Sequence, residues 1–197
     1  MNKNVERGQA TRARLIEVAS RLFAARGYEG TSIEAVLAES GVSRGSLYHH
    51  FPGKEALFLA VMEDVGTRVS LPVAAEMQAA PNPLAAMRIG SLAWIRLAGD
   101  PVTRQIMLID APAVLGWQRW RELDEHGPLG VIRSLLAAAA DERRIEAQHV
   151  DVFAHIVLAA LNEVALMIAR AADRAEALAA AEAAVADFLD RLLGASE

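Results

Sequence analysis

Residues 31–54 (TSIEAVLAESGVSRGSLYHHFPGK) concentrate side chains that can donate hydrogen bonds to an anion or to the edge of a base. Two short helices joined by a glycine-containing turn at 40–43 fit this pattern, which has the spacing of a helix-turn-helix. Val36, Val42, Leu47 and Phe51 fall where the two helices must pack on each other and on a preceding helix. The residues left for the outer face are rich in donors and include no acid, and they are Ser43, Arg44, Gly45, Ser46, Tyr48, His49 and His50.

Two residues of this segment are unfavourable for an isolated helix and therefore indicate contact with another molecule. Gly45 inside so short a helix costs about 1 kcal/mol relative to alanine, and close approach of the backbone to another surface explains why it is tolerated. Lys54 lies in the expected first turn of the next helix, where a cation opposes the helix dipole. A phosphate held jointly by this lysine and by free backbone amides removes the conflict. The alternative is that residues 31–54 form an ordinary helical hairpin.

The distribution of charge agrees with a polyanionic partner at the N-terminal end. The formal net charge is −5, yet residues 1–54 hold eight Lys and Arg against five Asp and Glu, and the remainder holds twelve against twenty. A basic end on an acidic body is the electrostatic pattern expected of a DNA-binding protein. The alternative is a solvated charged surface with no partner.

Helical periodicity extends over almost the whole chain. The apolar fraction is 53% with only 5% aromatic residues, and alanine and leucine supply most of it, which favours helix over strand. Thr31 and Glu34 have the capping-box spacing at the start of the second helix, and Pro72 is expected to kink or end the fourth. The pattern predicts an all-α fold with helices near 11–26, 32–41, 43–50, 54–69, 84–98, 101–109, 117–124, 128–141, 148–172 and 174–193.

Several other classes of protein are disfavoured by the sequence. It has no cysteine, no apolar leader and no long apolar run free of charges, so a soluble cytoplasmic protein without a membrane partner is expected. His126, His149 and His155 lack a second strong ligand pair, although Asp151 shares a helix face with His155, and we expect neither a metal nor a cofactor. No catalytic or nucleotide-binding motif is present. An enzyme whose pocket is built from scattered residues remains the rival class.

The segment 11–58 resembles the N-terminal domain of TetR/AcrR-type transcriptional regulators. Leu37 departs from the family pattern, because a small residue usually occupies that site, where the two helices cross. The matching features are Thr11-Arg12, Ala19, Leu22-Phe23, Gly27-Tyr28, Thr31-Ser32-Ile33, Gly41-Val42-Ser43, Gly45, Leu47-Tyr48, His50-Phe51 and Lys54-Glu55-Ala56-Leu57.

The resemblance implies particular roles in DNA binding. The residues implied to hold backbone phosphates are Thr31, Tyr48, His49 and Lys54. The residues implied to face the major groove are Ser43, Arg44, Gly45 and Ser46. Arg44 is the best base reader among them, because a guanidinium can bond guanine with two hydrogen bonds. Arg7, Arg12 and Arg14 either reach phosphates or the minor groove, or are simply solvated.

The resemblance also implies a division into a helix-turn-helix domain over 8–66 and a larger helical ligand-binding and dimerisation domain over 67–197. The helix that begins at Lys54 is the only long element expected to touch both. The last two helices, near 148–172 and 174–193, are implied to form a homodimer, and paired half-sites in an operator demand such two-fold symmetry. The expected function is that of a repressor released from operator DNA by a small molecule.

Large apolar side chains of the second domain suit a cavity for an apolar or aromatic effector. For each of them, ordinary core packing is the alternative. A DNA-binding activator or architectural protein without an effector is the other alternative function. The side chains expected to line the cavity are Met87, Trp94, Met107, Trp117, Trp120 and Phe153.

Overall fold

The structure, a computed structural model, describes the backbone of residues 3–97 and 99–194. Every regular element within these ranges is helical, which confirms the all-α class. Side chains lie outside the description for residues 1–4, 98, 117, 120, 121, 123–126 and 195–197. The elements are α1 (Lys3–Arg26), α2 (Ile33–Ser40), α3 (Arg44–His50), α4 (Lys54–Gln78), α5 (Pro83–Leu97), α6 (Pro101–Thr103), a π-helix (Arg104–Asp110), α7 (Ala111–His126), α8 (Pro128–Asp141), a 3-10 helix (Ala147–His149), α9 (Val150–Arg170) and α10 (Arg174–Leu192).

Two helices extend further than the sequence pattern predicts. Helix α1 begins at Lys3, eight residues before the predicted start, through a polar stretch that carries no apolar stripe. Helix α4 continues through Pro72 to Gln78, so of the two outcomes expected for this proline, a kink or an end, it does not end the helix. Pro72 is exposed, and the carbonyl four residues before it can turn towards water when the proline offers no N–H.

The ends of the short helices are fixed by side-chain and glycine caps. The N-cap of α2 is Ser32, whose Oγ accepts a hydrogen bond from the Ala35 amide at 3.1 Å, so the capping box predicted from Thr31 was wrong by one residue. The N-cap of α3 is Ser43, whose Oγ accepts a hydrogen bond from the Ser46 amide at 3.3 Å. Gly27 has a φ of 72° directly after α1, the left-handed conformation that glycine adopts without strain.

The chain packs into two compact units, each formed by two separate stretches of sequence. The first unit contains Met1–Arg68 and Pro101–Val114, and the second contains Val69–Asp100 and Leu115–Glu197. The division after Arg68 falls within α4 and the division after Val114 falls within α7, so α4, which begins at Lys54, is not the only long helix with residues in both units, contrary to the prediction. In both units the core is made of helix faces.

The core of the first unit joins α1, α3, α4 and the π-helix. Phe23, Leu47, Phe58 and Ile106 are all fully buried there. The three aromatic rings of Phe23, Tyr28 and Phe58 contact one another, with centroids 5.1 to 5.8 Å apart. This cluster fixes the end of α1 against the start of α4, the place where the helix-turn-helix is attached.

The core of the second unit lies between α5, α8, α9 and α10, and it contains Met87, Ile95, Leu136, Ile168 and Leu189. The segment Ala147–Arg170 is long and apolar enough to cross a membrane by length and composition, contrary to the expectation that no such run exists. One face of this helix packs into the core of the second unit. A core helix passes the same length and composition test as a membrane span, so the finding is weak evidence for a membrane.

Candidate nucleic-acid interface

Helices α2 and α3 form the turn-linked pair that the sequence predicts. Gly41 ends α2 with a φ of 71°, and its amide donates to the Leu37 carbonyl at 3.0 Å. Val36, Leu47 and Phe51 are buried and Val42 is half-buried, and both helices pack against α1. The outer face of α3 is left exposed, and its exposed residues are Ser43, Arg44, Gly45, Tyr48 and His49.

Arg44, the predicted base reader, has a partner that sequence reasoning missed. Its guanidinium donates to the Glu34 carboxylate of α2 at 3.0 Å, and both side chains are well exposed. A backbone hydrogen bond at Glu34, and then the bond from Arg44, lower the pKa of this carboxyl. The outer face of α3 carries no acid of its own, but α2 supplies one, and DNA must replace that bond if Arg44 is to reach a base.

Gly45 stands in open space within α3. A Cβ built there meets no atom within 4 Å, and the backbone does not have the positive φ that would require glycine. Nothing in the fold of the described residues therefore demands this glycine. Packing among the described residues does not explain a glycine that weakens this helix.

Lys54 rests on an aromatic ring. Its ammonium lies 4.1 Å from the centroid of the Tyr28 ring, a cation–π contact that orients the side chain. The Tyr28 ring is itself held by Phe23 and Phe58. Burial and the neighbouring carboxylates Glu55 and Glu29 raise the pKa of the Tyr28 phenol. The sequence indicated that a cation in the first turn of a helix is unfavourable, and the Tyr28 ring gives this cation a partner within the protein.

Thr31 lies in the interior, which argues against the phosphate contact expected for it. Only 1% of Thr31 is exposed, its hydroxyl donates to the Gly27 carbonyl at 2.9 Å, and its amide donates to the Tyr28 carbonyl at 3.2 Å. The residue stabilises the turn between α1 and α2. The family resemblance implied a phosphate contact for Thr31, and the sequence holds no signal of its burial.

The remaining residues of α3 that are predicted to contact DNA differ in how far their side chains are exposed. Tyr48 is 45% exposed and His49 is also exposed, with its ring 5.3 Å from that of His50. Ser43 uses its Oγ as the helix cap, and Ser46 is half-buried. Arg12 of α1 stacks its guanidinium 5.4 Å from the Phe51 ring centroid. The geometry brings five exposed predicted residues together along one short helix and places Lys54 at the start of the next.

Asp110 reaches this region from 82 residues further along the chain. Its carboxylate accepts hydrogen bonds from the Tyr28 backbone N–H at 2.8 Å and from Gln105 Nε2 at 3.0 Å. Asp110 is only 9% exposed. Burial raises its pKa above the ordinary range, against the lowering effect of the two donors. Sequence reasoning assigned this segment to the larger domain and missed the residue.

The side chains predicted to line an effector cavity are distributed between the two units. Met87 is buried in the core of the second unit, with Trp94 and Phe153 packed against that core. The Trp94 Nε1 atom is buried without a hydrogen-bond partner. Met107 belongs to the first unit. The side chains of Trp117 and Trp120 lie outside the described residues.

A groove on the second unit has a volume of about 290 Å³ and contains none of the predicted cavity residues. It is lined by Glu76, Ala85, Arg88, Ile89, Leu92 and Arg96. The arginines at 88 and 96 form ion pairs with Asp190 and Glu182 of α10. Within the described part of the chain, no three His, Asp or Glu residues are arranged to hold a metal ion.

Comparison with known proteins gives the chain a family. Residues 84–192 match the family model described as "Tetracyclin repressor-like, C-terminal domain", and residues 15–61 match "Bacterial regulatory proteins, tetR family". The solved structure of a TetR-family transcriptional regulator from Pectobacterium atrosepticum is 28% identical, with a TM-score of 0.80 over 95% of this chain and 96% of that one.

Curated relatives match mainly over the N-terminal part. The HTH-type transcriptional regulator LmrA of Bacillus subtilis is 36% identical over 74 residues, which cover 37% of this chain and 39% of LmrA. The HTH-type transcriptional repressor AcnR of Corynebacterium efficiens is 40% identical over 60 residues, which cover 30% of this chain and 32% of AcnR. The chain thus spans about two fifths of LmrA and one third of AcnR. Because one family model covers more than half of it and another covers the helix-turn-helix, the chain belongs to the TetR family of bacterial regulatory proteins.

Proposed function

We propose that the protein is a homodimeric cytoplasmic repressor that binds operator DNA through α3 and is released by a small molecule. The observation that carries the proposal is the exposed face of α3, where Arg44 and Tyr48 flank a glycine with open space around it. Membership of the TetR family and the match to a relative named a repressor support this role. Enzymatic activity has no motif in its favour.

In the proposed complex α3 lies in the major groove. Arg44 exchanges its bond to Glu34 for two hydrogen bonds to guanine, and the bare backbone at Gly45 lets the helix approach the bases closely. Tyr48, His49 and Lys54 hold phosphates on either side. Ser43 and Ser46 face the groove at the start of the helix, and Thr31 takes no part because it is buried.

The proposed dimer joins α9 and α10 of two copies. Val152, Ile156 and Met167 leave 47% to 58% of their surface exposed at helical spacing along α9, and Phe188 of α10 leaves 37%. Large apolar residues at such spacing on an otherwise core-packed helix favour a protein partner over water. A second copy fits, since a two-fold dimer presents two recognition helices about one DNA turn apart, roughly 34–36 Å.

The proposed effector is apolar or aromatic and binds in the second unit among side chains such as Met87, Trp94 and Phe153. The unpaired Trp94 N–H supports an effector that also carries a hydrogen-bond acceptor. Helix α4 connects Lys54 to the second unit without a break and is the proposed route of release. A coupling of about 1–3 kcal/mol changes DNA affinity roughly 5- to 150-fold.

The decisive experiment selects a DNA duplex from a random-sequence pool with the purified protein and measures its affinity by fluorescence anisotropy. Arg44→Ala is expected to relax base preference at one position of each half-site, at a cost of about 1–3 kcal/mol. Lys54→Ala is expected to weaken binding to all sequences and to lower the salt slope by about one unit. Failure to enrich any duplex contradicts the function. A duplex that no compound in a panel of aromatic acids and apolar phenols releases contradicts the effector alone.

A further inference from the structure

The carboxylate of Asp110 anchors the turn that follows α1. The Tyr28 amide lies just beyond the end of α1, and the Asp110 carboxylate accepts its hydrogen bond at 2.8 Å, which satisfies a backbone donor that is half-buried. Gln105 Nε2 donates to the other carboxylate oxygen at 3.0 Å and so orients the group. Both residues belong to the π-helix, within the stretch that packs into the first unit.

The turn and the π-helix approach each other closely at Gly27. A Cβ at this glycine would lie 3.4 Å from Gln105 Nε2 and 3.7 Å from an Asp110 oxygen. The same turn is closed on its other side by the hydrogen bonds of Thr31 to Gly27 and Tyr28. The backbone of Tyr28 is therefore held from both directions, and Asp110 is the only side-chain acceptor described for its N–H.

Holding the Tyr28 backbone also places its ring. The ring packs between Phe23 and Phe58, and the Lys54 ammonium rests on it at 4.1 Å. A shift of the turn moves the Tyr28 ring, and this changes the direction in which the Lys54 ammonium points. Lys54 lies near enough to Asp110 that its charge also lowers the pKa of that carboxyl to a small extent.

We propose that Asp110 is a positioning residue for DNA binding, which fixes the Tyr28 backbone and thereby directs Lys54 towards the phosphate. This inference rests on the proposed function, because Lys54 needs a DNA phosphate to bind. It assigns Asp110 itself no contact with DNA. It adds a residue outside the helix-turn-helix to the machinery of phosphate binding. The effect is independent of base sequence, since the contact it serves is to the DNA backbone.

The test measures the affinity of the full chain for a fluorescein-labelled 30-base-pair duplex of random sequence, at several salt concentrations. Asp110→Leu removes the acceptor and puts a larger apolar side chain in its place, and about a tenfold loss of affinity is expected, with a smaller salt slope. Asp110→Asn keeps an acceptor oxygen for the Tyr28 N–H and is expected to stay within twofold of the unaltered protein. Ile109→Ala, an exposed neighbour in the same π-helix, is the matched control and is expected to change nothing.

A double-mutant cycle with Lys54→Ala separates positioning from general damage to the fold. In the Lys54→Ala background, Asp110→Leu is expected to lose less than threefold, because the group it positions is gone. An equal loss in both backgrounds overturns the inference, and so does an unchanged affinity for Asp110→Leu alone. If thermal unfolding shows that Asp110→Leu does not fold, Gln105→Leu takes its place, with about a threefold loss expected and the same cycle. Absence of binding by the unaltered protein contradicts the proposed function itself.

Discussion

At the scale of single residues, two cations of the candidate interface already have partners within the protein. Arg44 is already bonded to Glu34, and Lys54 already rests on Tyr28. Both contacts are made to residues distant in sequence, which is why composition and spacing indicated the donors without indicating their partners. Each contact holds a cation on the protein surface in a defined direction. Fewer rotamers are then lost when DNA binds, which lowers the entropy cost of binding.

Gly45→Ala is expected to separate stability from DNA binding. The added Cβ meets open space, so the substitution should raise the free energy of unfolding by up to about 1 kcal/mol through helix propensity. DNA affinity should fall, because the new methyl group stands between the helix and the bases. Urea unfolding and fluorescence anisotropy measure the two effects. Gly41→Ala is the control, since a φ of 71° makes it destabilising. Unchanged affinity for Gly45→Ala would exclude close approach at this site.

The pH dependence of stability should reveal the buried Asp110. Because the pKa of Asp110 is raised in the folded state, its protonated form favours folding, fully so below the ordinary pKa near 4. This contribution is lost as pH rises through the raised value. Asp110→Asn does not titrate, so its stability relative to the unaltered protein should increase as pH rises from the ordinary aspartate pKa through the raised value in the folded protein. Urea titrations at several pH values measure the difference, and a flat difference would contradict the shift.

At the scale of the elements, the helix pattern could be predicted from periodicity and caps, and the packing could not. Ser43 and Gly27 mark helix ends, and such ends are visible in the sequence because a cap acts on its own neighbours. The extension of α4 through Pro72 and the burial of Thr31 depend on tertiary surroundings. The residues next to them in the sequence do not indicate those surroundings. The bond from Tyr28 to Asp110 joins residues 82 positions apart. Sequence reasoning found the exposed donors of the candidate site and missed the residues that orient them.

Pro72→Ala is expected to stabilise the protein. The proline sits inside α4 and is exposed, so alanine restores a backbone donor and removes a steric clash without opening a cavity. A gain of about 1–3 kcal/mol in the free energy of unfolding is expected from urea titration. Pro83→Ala is the matched control, because proline is favourable at the first position of α5. Equal effects of the two substitutions would show that α4 already accommodates the proline without cost.

At the scale of the whole molecule, the exposed apolar residues of α9 test the proposed assembly. Ile156→Asp puts a charge in the proposed interface and should convert the dimer to a folded monomer in sedimentation velocity experiments. Val131 of α8 is exposed to nearly the same extent, 48% against 47%, and Val131→Asp should leave the dimer intact. A monomeric unaltered protein at micromolar concentration would contradict the assembly. Dissociation by both substitutions would place the interface elsewhere.

The first unit is assembled from two stretches of chain that are separated by more than thirty residues, and this has a consequence for biosynthesis. When residue 68 leaves the ribosome, the helix-turn-helix is complete in sequence, but the strip of core that Ile106 fills is still exposed. At that stage the Tyr28 amide also lacks its acceptor, because Asp110 has not yet been synthesised. Co-translational folding of this unit is therefore expected to finish only after residue 114 emerges. Fragments that end near residue 68 should be aggregation-prone, and an exchange of recognition modules between relatives should carry both stretches together.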